Sequence, residues 1–167
     1  ATEDEAQVLL RPVEEQIRSI LGTAIWGVDQ ETLEERISVL LRERGLTLAC
    51  MESCSGGLLA STITEVPGAS DYFKGGGVSY SNEAKIALGV PPEVIREHGA
   101  VSPQTAEAMA RAIRSYLKAD IGVGVTGVAG PAELEGRPVG EVHIGLAYGD
   151  IAYSVTGRYP PRRPLVK

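Results

Sequence analysis

Histidine and cysteine are scarce in this sequence, which contains only two of each. Cys50 and Cys54 lie four positions apart at the end of a predicted strand, a spacing that fits neither a disulfide framework nor a zinc site. We therefore expect two reduced thiols, no metal and no cofactor. His98 ends a predicted helix, and His143 lies within an apolar strand without a carboxylate in a recognisable arrangement. Both histidines are interpreted as structural.

Long apolar runs and an excess of positive charge are also missing. No run approaches the roughly 20 residues that span a bilayer, and the acidic start of the chain is unlike a secretory signal. We therefore expect a soluble, cytoplasmic protein without a membrane partner. The formal net charge of −6 leaves no cluster of Lys and Arg to neutralise nucleic-acid phosphates, so we expect no nucleic-acid partner.

Strand and helix patterns alternate along the chain and predict an α/β fold, a layered α/β/α sandwich with a mixed central sheet. We divide the chain into a helical lead-in, residues 1–45, and one folded domain, residues 46–167. Pro12 is expected to confine the first helix to the residues that follow it, and Asn82 is expected to cap a short helix. The predicted strands are 46–51, 73–80, 121–125, 140–148 and 151–156; the other predicted helices are 33–41, 58–64, 92–98 and 103–117.

Polar residues and glycines follow the first predicted strand, in the segment Glu52-Ser53-Cys54-Ser55-Gly56-Gly57. This segment opens a helix, whose N-terminal N–H groups can hold a phosphate or a developing oxyanion. A serine here can attack a carbonyl group. The alternative is that Ser53 or Ser55 only caps the helix while the glycines permit the turn.

A serine nucleophile needs a neighbouring base, and Lys85 is a candidate on the first turn of the helix that follows the second strand. A buried lysine with a lowered pKa can act as the base of a Ser-Lys pair. The alternative is a solvated surface lysine.

A glycine-rich loop leaves the third predicted strand at Thr126-Gly127-Val128-Ala129-Gly130-Pro131, and its N–H groups could surround a phosphate. Gly122, Gly124 and Gly127 also spell G-x-G-x-x-G. Two of these glycines fall within the strand, and Pro131 stands where a helix would have to begin, so we reject a dinucleotide-binding site.

Five ordered motifs resemble the CinA C-terminal family over about residues 45–158. The resemblance implies nicotinamide mononucleotide deamidase activity in pyridine-nucleotide salvage and NAD metabolism, an amidase reaction that converts a carboxamide to a carboxylate and releases ammonia. It also implies a homodimer and an origin in a longer protein with a molybdopterin-binding-like domain before this one. The motifs are Glu52 to Gly57, Val66-Pro67-Gly68, Tyr80-Ser81-Asn82-Glu83-Ala84-Lys85, Gly99-Ala100-Val101-Ser102, and Thr126 to Pro131.

The resemblance places the catalytic residues on Ser53, Lys85 and Tyr80. Lys85 is expected to accept the Ser53 proton, and Tyr80 either to relay protons or to orient Lys85. The alternative for Tyr80 is a strand aromatic that only packs against a neighbour. The residues that the resemblance implies for substrate binding are Glu52, Cys54, Ser55, Gly56, Gly57, Asn82, Thr126, Gly127, Ala129, Gly130 and Arg137.

The chain departs from the family between Pro131 and Pro138, where members are usually glycine-rich. The segment Ala132-Glu133-Leu134-Glu135-Gly136-Arg137 brings two carboxylates near the implied phosphate pocket, and Arg137 offers a cation that can pair with a phosphate.

Two other interpretations of the function stay open. One is a hydrolase with a Cys54 thiolate at the helix N-terminus, and the other is a nucleotide-binding or regulatory module without turnover.

Overall fold

The protein is described by a computed structural model that covers residues 2–166. The chain forms two compact units, one ending at Ile37 and one beginning at Ser38. The first unit contains helix α1 (Glu3–Leu21), a 3₁₀ turn at Gly22–Ala24 and the start of helix α2 (Leu33–Arg44). The predicted division after residue 45 stays a prediction.

Helix α1 is continuous through Pro12, so the expectation that the helix is confined to the residues after Pro12 is wrong. A capping box fixes its start, with Thr2 and Glu5 each accepting the other's backbone N–H. The Glu14–Arg18 ion pair at 2.7 Å adds a small contribution one turn after Pro12. Among the described residues, no helix is both long and apolar enough to cross a bilayer.

The second unit is built around five strands in the order β2-β1-β3-β4-β5. The first three strands run parallel to one another, and β4 and β5 are antiparallel to their neighbours. This confirms the predicted layered α/β/α sandwich with a mixed sheet. The strands are β1 (Leu48–Glu52), β2 (Phe73–Val78), β3 (Ile121–Gly127), β4 (Glu141–Tyr148) and β5 (Ile151–Arg158).

Helices cover both faces of this sheet. The helices after α2 are α3 (Leu58–Glu65), α4 (Asn82–Ala87), α5 (Pro92–His98), α6 (Pro103–Leu117) and α7 (Arg163–Val166), with a 3₁₀ turn at Ala69–Asp71. On one face, Met51 of β1 packs with Met109 and Ile113 of α6. On the other face, Leu48 of β1 packs with Leu41 and Ile63. The alternation of the β1 side chains between the two faces is the reason for its unbroken apolar sequence.

Gly122 and Gly124 lie in β3, as predicted, and they serve packing; Gly127, which was predicted in the loop, is the last residue of the strand. A Cβ atom at Gly124 would lie 2.7 Å from the backbone nitrogen of Ala110, and one at Gly122 would lie 2.7 Å from Cβ of Arg114. Only glycine therefore allows α6 to approach the sheet this closely.

Candidate active site

Polar side chains lie in a row across the sheet, at the end where the parallel strands β1, β2 and β3 finish. The strand register pairs Glu52 with Val78 and Val125, and the next residues along are Ser79, Ser53 and Thr126. Thr126 pairs with His143, and His143 pairs with Thr156. Ligands of open α/β sheets bind at this edge of the sheet. The polar row is defined here as Ser79, Ser53, Thr126, His143 and Thr156.

The predicted contact between Ser53 and Lys85 is present. The Lys85 Nζ atom lies 3.1 Å from the Ser53 Oγ atom and donates a second hydrogen bond of 2.9 Å to the Ser79 carbonyl. Lys85 is 2% exposed and Ser53 is 7% exposed, so water has little access to either group. The alternative of a solvated surface lysine is wrong.

Burial lowers the pKa of the Lys85 amine below its ordinary range, and nearby Cys54 and Glu135 act in the opposite direction. A lowered pKa increases the neutral fraction of the amine at a given pH, and the neutral amine is the form that can accept a proton. Helix α4 places Lys85 here, with Ser81 as its N-cap, accepting the Ala84 N–H at 3.2 Å. The predicted cap Asn82 is instead the first residue of the helix.

Glu52 faces helix α3 and is not free to bind substrate, contrary to the implication of the resemblance. Its carboxylate is 1% exposed and accepts the backbone N–H groups of Gly57, Leu59 and Ala60 at 3.1, 3.0 and 2.8 Å. The carboxylate satisfies donors that a helix N-terminus leaves unpaired. Glu52 therefore fixes the helix next to Ser53.

The side chains of Cys54 and Ser55 point away from the polar row. Cys54 packs with Val125 and Val142 on the α3 side of the sheet. The Ser55 hydroxyl has no hydrogen-bond partner among the described residues and lines a cavity of about 370 Å³ that also contains Val125 and Val142. The two implied substrate-binding side chains therefore lie with Val125 and Val142 rather than in the polar row, although Cys54 is still near enough to act on the pKa of Lys85.

Burial raises the pKa of Cys54 above 9.0, against the lowering effect of nearby backbone N–H groups. Burial and Glu52 raise the pKa of Cys50 to about 12. Both cysteines are thiols at neutral pH, and thiols are poor nucleophiles.

We expect iodoacetamide to modify the native protein at pH 8 at least about 100-fold more slowly than the urea-unfolded chain. Mass spectrometry over time measures this, and rapid labelling of native Cys54 would contradict the assignment.

Tyr80 is 62% exposed and does not contact the Ser53–Lys85 pair. Its hydroxyl accepts a long hydrogen bond of 3.5 Å from Arg163, which also donates to the Gly130 carbonyl at 2.9 Å. Lys85 is oriented by the Ser79 carbonyl, so the predicted orienting role of Tyr80 is not what the structure shows. Arg163 was missed from sequence because it stands in the Arg- and Pro-rich tail, far from every motif.

The predicted glycine-rich loop begins later than expected, because Thr126 and Gly127 still belong to β3. The Thr126 hydroxyl is buried and donates to the Ala100 carbonyl at 2.8 Å, which ties the loop before α6 to the polar row. Ala129 packs on the opposite face of the sheet from this row, together with Cys54.

Arg137 and His143 meet at a buried carboxylate. The Glu141 side chain is 5% exposed, and its Oε1 atom lies 3.3 Å from Arg137 Nη1 and 3.1 Å from His143 Nε2. Since a carboxylate only accepts, Nε2 donates to Glu141 and Nδ1 accepts the Thr156 hydroxyl at 2.8 Å. Burial lowers the pKa of His143, so the ring is neutral at pH 7. The expectation that His143 has no carboxylate partner is wrong, and Arg137 is held by Glu141.

Comparison with known proteins identifies relatives over most of the chain. The model of the family described as "CinA C-terminal domain" matches residues 30–165. A putative competence-damage inducible protein of Moorella thermoacetica is 50% identical over 149 residues, which are 88% of this chain and 36% of the relative. A CinA-like protein of Frankia casuarinae is 47% identical over 164 residues, 98% of this chain and 38% of the relative. This chain thus spans little more than a third of these curated relatives.

Solved structures show the same fold. The competence/damage inducible protein CihA of Agrobacterium tumefaciens aligns with a TM-score of 0.75 and 37% identity, covering 84% of this chain and 87% of that one. The competence damage-inducible protein A (ComA) of Klebsiella pneumoniae aligns with a TM-score of 0.77 and 30% identity, covering 80% and 84%. Because the family match includes all five strands and the Ser53 and Lys85 motifs, this chain belongs to the CinA C-terminal domain family.

Proposed function

We propose that this protein is an amidase that hydrolyses the carboxamide of nicotinamide mononucleotide to nicotinate mononucleotide and ammonia. The observation that carries the proposal is the buried 3.1 Å contact between Ser53 Oγ and Lys85 Nζ at the end of parallel strands. A serine hydroxyl is a weak nucleophile alone, and an adjacent amine of lowered pKa supplies the base that it requires. The substrate comes from the resemblance to the family.

In the proposed reaction, neutral Lys85 takes the Ser53 proton while the oxygen attacks the carboxamide carbon. The tetrahedral intermediate collapses when the Lys85 ammonium returns the proton to the leaving nitrogen, which departs as ammonia. Lys85 then removes a proton from a water molecule that attacks the acyl-serine. As the ester bond breaks, the Lys85 ammonium returns this proton to the Ser53 oxygen, which releases the acid product and regenerates the Ser53 hydroxyl and the neutral amine.

The backbone N–H groups of Cys54 and Ser55 are our candidates for holding the oxyanion. Within residues 2–166, neither N–H donates to an oxygen, although both interact with the Cys54 sulfur, whereas the Gly56 N–H already donates to the Ser53 carbonyl at 3.1 Å. The first N–H groups of α3 are engaged by Glu52, whose charge also offsets the positive end of the helix dipole. Oxyanion stabilisation must therefore come from individual donors at hydrogen-bonding distance.

Arg163 is our candidate for binding the phosphate group. Its guanidinium lies at the Gly130 end of the loop that follows β3, where it donates to the Gly130 carbonyl at 2.9 Å and makes a long contact with the Tyr80 hydroxyl. Arg137, the cation predicted from the sequence, is already paired with Glu141. A guanidinium that contacts only neutral oxygens can exchange them for phosphate oxygens. This exchange requires less free energy than removing a guanidinium from a buried carboxylate.

The test is incubation of the purified chain with nicotinamide mononucleotide, with ammonia and nicotinate mononucleotide measured by coupled assay and chromatography. We expect the two products in equal amounts. The Cys54→Ala variant should keep its activity within about threefold, because a buried thiol of raised pKa is not the nucleophile.

Two outcomes would redirect the assignment. Loss of turnover in Cys54→Ala with normal folding would favour a cysteine hydrolase. Saturable binding of the nucleotide by calorimetry without either product would favour a nucleotide-binding or regulatory module.

A further inference from the structure

The segment that departs from the family forms a tight hairpin. Leu134 and Arg137 exchange backbone hydrogen bonds of 3.2 and 2.8 Å, and the two residues between them, Glu135 and Gly136, have φ values of 52° and 74°. Two successive positive φ values are typical of a type I′ turn, which projects its central side chains outward. The positive φ of Glu135 is unfavourable for a residue with a long side chain. A contact made by this side chain compensates for it.

The Glu135 carboxylate accepts the backbone N–H of Ala100 at 2.7 Å, across 35 positions of sequence. The same peptide is held from the other side, because the Gly99 carbonyl accepts the Thr105 hydroxyl at 2.6 Å. The next carbonyl, that of Ala100, accepts the Thr126 hydroxyl of the polar row. The hairpin is therefore joined through the backbone of Ala100 to Thr126, which lies beside Ser53.

Burial lowers the pKa of the Lys85 amine, and Cys54 and then the Glu135 carboxylate act to raise it. The other titratable groups around Lys85 are directed elsewhere or are neutral. Glu52 is bonded to α3, Tyr80 faces Arg163, and Cys54 is a thiol at neutral pH. Glu83, on the helix that carries Lys85, is fully exposed. Glu135 is thus the carboxylate whose charge reaches the amine most directly.

We propose that Glu135 is a positioning residue that latches the 131–139 hairpin to Ala100 beside the Ser53–Lys85 pair and sets the charge balance around the lysine amine. The proposal rests on the proposed amidase function and extends it to a residue that the family motifs do not include. The Glu135 contact fixes the hairpin to Ala100, and Ala100 is bonded to Thr126, the neighbour of Ser53 in the polar row.

Two variants separate the two roles. Glu135→Gln keeps the length of the side chain and an oxygen that can accept the Ala100 N–H, but it removes the charge. Glu135→Asn suits the type I′ turn before Gly136 and is one methylene too short to reach Ala100. Glu133→Gln is the matched control, because Glu133 lies exposed in the same loop and its side chain makes no hydrogen bond or ion pair within the described residues.

Three readouts apply to all variants: the pH dependence of kcat/KM, the NMR titration of the Lys85 amine, and hydrogen exchange of the Ala100 amide. We expect both Glu135 variants to lower the pKa of Lys85. The acidic limb of kcat/KM then moves to lower pH, because less alkaline conditions suffice to give the neutral base. Only Glu135→Asn should accelerate Ala100 exchange, by roughly tenfold or more, and Glu133→Gln should resemble the unmodified protein.

An unchanged Lys85 titration in both Glu135 variants, or unchanged Ala100 exchange in Glu135→Asn, overturns the proposal. The titration and the exchange need no substrate. If the Lys85 titration and the Ala100 exchange change as expected while no amide is hydrolysed, the role of Glu135 is supported and the proposed amidase function is wrong.

Discussion

Replacing Lys85 by methionine is expected to reduce amide hydrolysis at least about 1,000-fold while leaving the fold intact. Methionine is unbranched and apolar and fits the space of a lysine stem that is 2% exposed. Ser53→Ala should cause a loss of similar size. The double variant should lose no more than either single one, because the nucleophile and its base act as a unit. Steady-state rates of ammonia release measure all three.

The Lys85→Met variant should also change how stability depends on pH. The pKa of Lys85 is lower in the folded protein than the ordinary 10.5 of the unfolded chain. Between the two values the unfolded state binds more protons, so stability falls as pH is lowered through this window. Methionine removes the unfavourable free energy of burying a lysine charge. We therefore expect Lys85→Met to be more stable than the unmodified protein at pH 7, as measured by urea unfolding. A variant that is inactive and also less stable would point to a structural role for Lys85.

Replacing Glu52 by alanine is expected to destabilise the protein by about 3–5 kcal/mol, because three backbone donors at the start of α3, those of Gly57, Leu59 and Ala60, lose their buried acceptor. Glu52→Gln keeps one acceptor oxygen and the side-chain volume, so it should lose less than Glu52→Ala. Glu65→Ala, at the exposed end of the same helix, should change stability by no more than about 0.5 kcal/mol.

Urea unfolding followed by circular dichroism gives the three free energies. Equal stability of Glu52→Ala and the unmodified protein would mean that water replaces the carboxylate at the N-terminus of α3.

The sequence predicted the fold class and the central contact of the site because both depend on strong local patterns. An apolar run followed by serines and glycines predicts a buried strand that ends at a helix, and Lys85 follows the next strand at the same edge of the sheet. The contact between Ser53 and Lys85 then follows from parallel topology. Pro12 shows the limit of a single-residue rule, since one lost donor did not divide a helix of 19 residues.

The directions of individual side chains were harder to predict. Glu52 was predicted to bind substrate, but the alternation of side chains along β1 directs it to the α3 side of the sheet. The same alternation places Glu141 and His143 on one face two residues apart, so their pairing was accessible from the sequence and was overlooked. The contacts of Glu135 and Arg163 join positions 35 and 33 residues apart with no shared periodicity. Such contacts depend on the packed backbone and carry no local signal.

The polar row has a consequence for how the specificity of such a protein can change. Because its members occupy successive strands, they are separated by the interstrand spacing of about 4.8 Å. Exchanging one member, such as Thr126 or His143, alters the chemistry at a fixed place while the backbone of the others stays where it is. A shift of one residue in the strand register would turn every member to the opposite face at once. The chemical groups along the row can therefore change one at a time, whereas their spacing cannot.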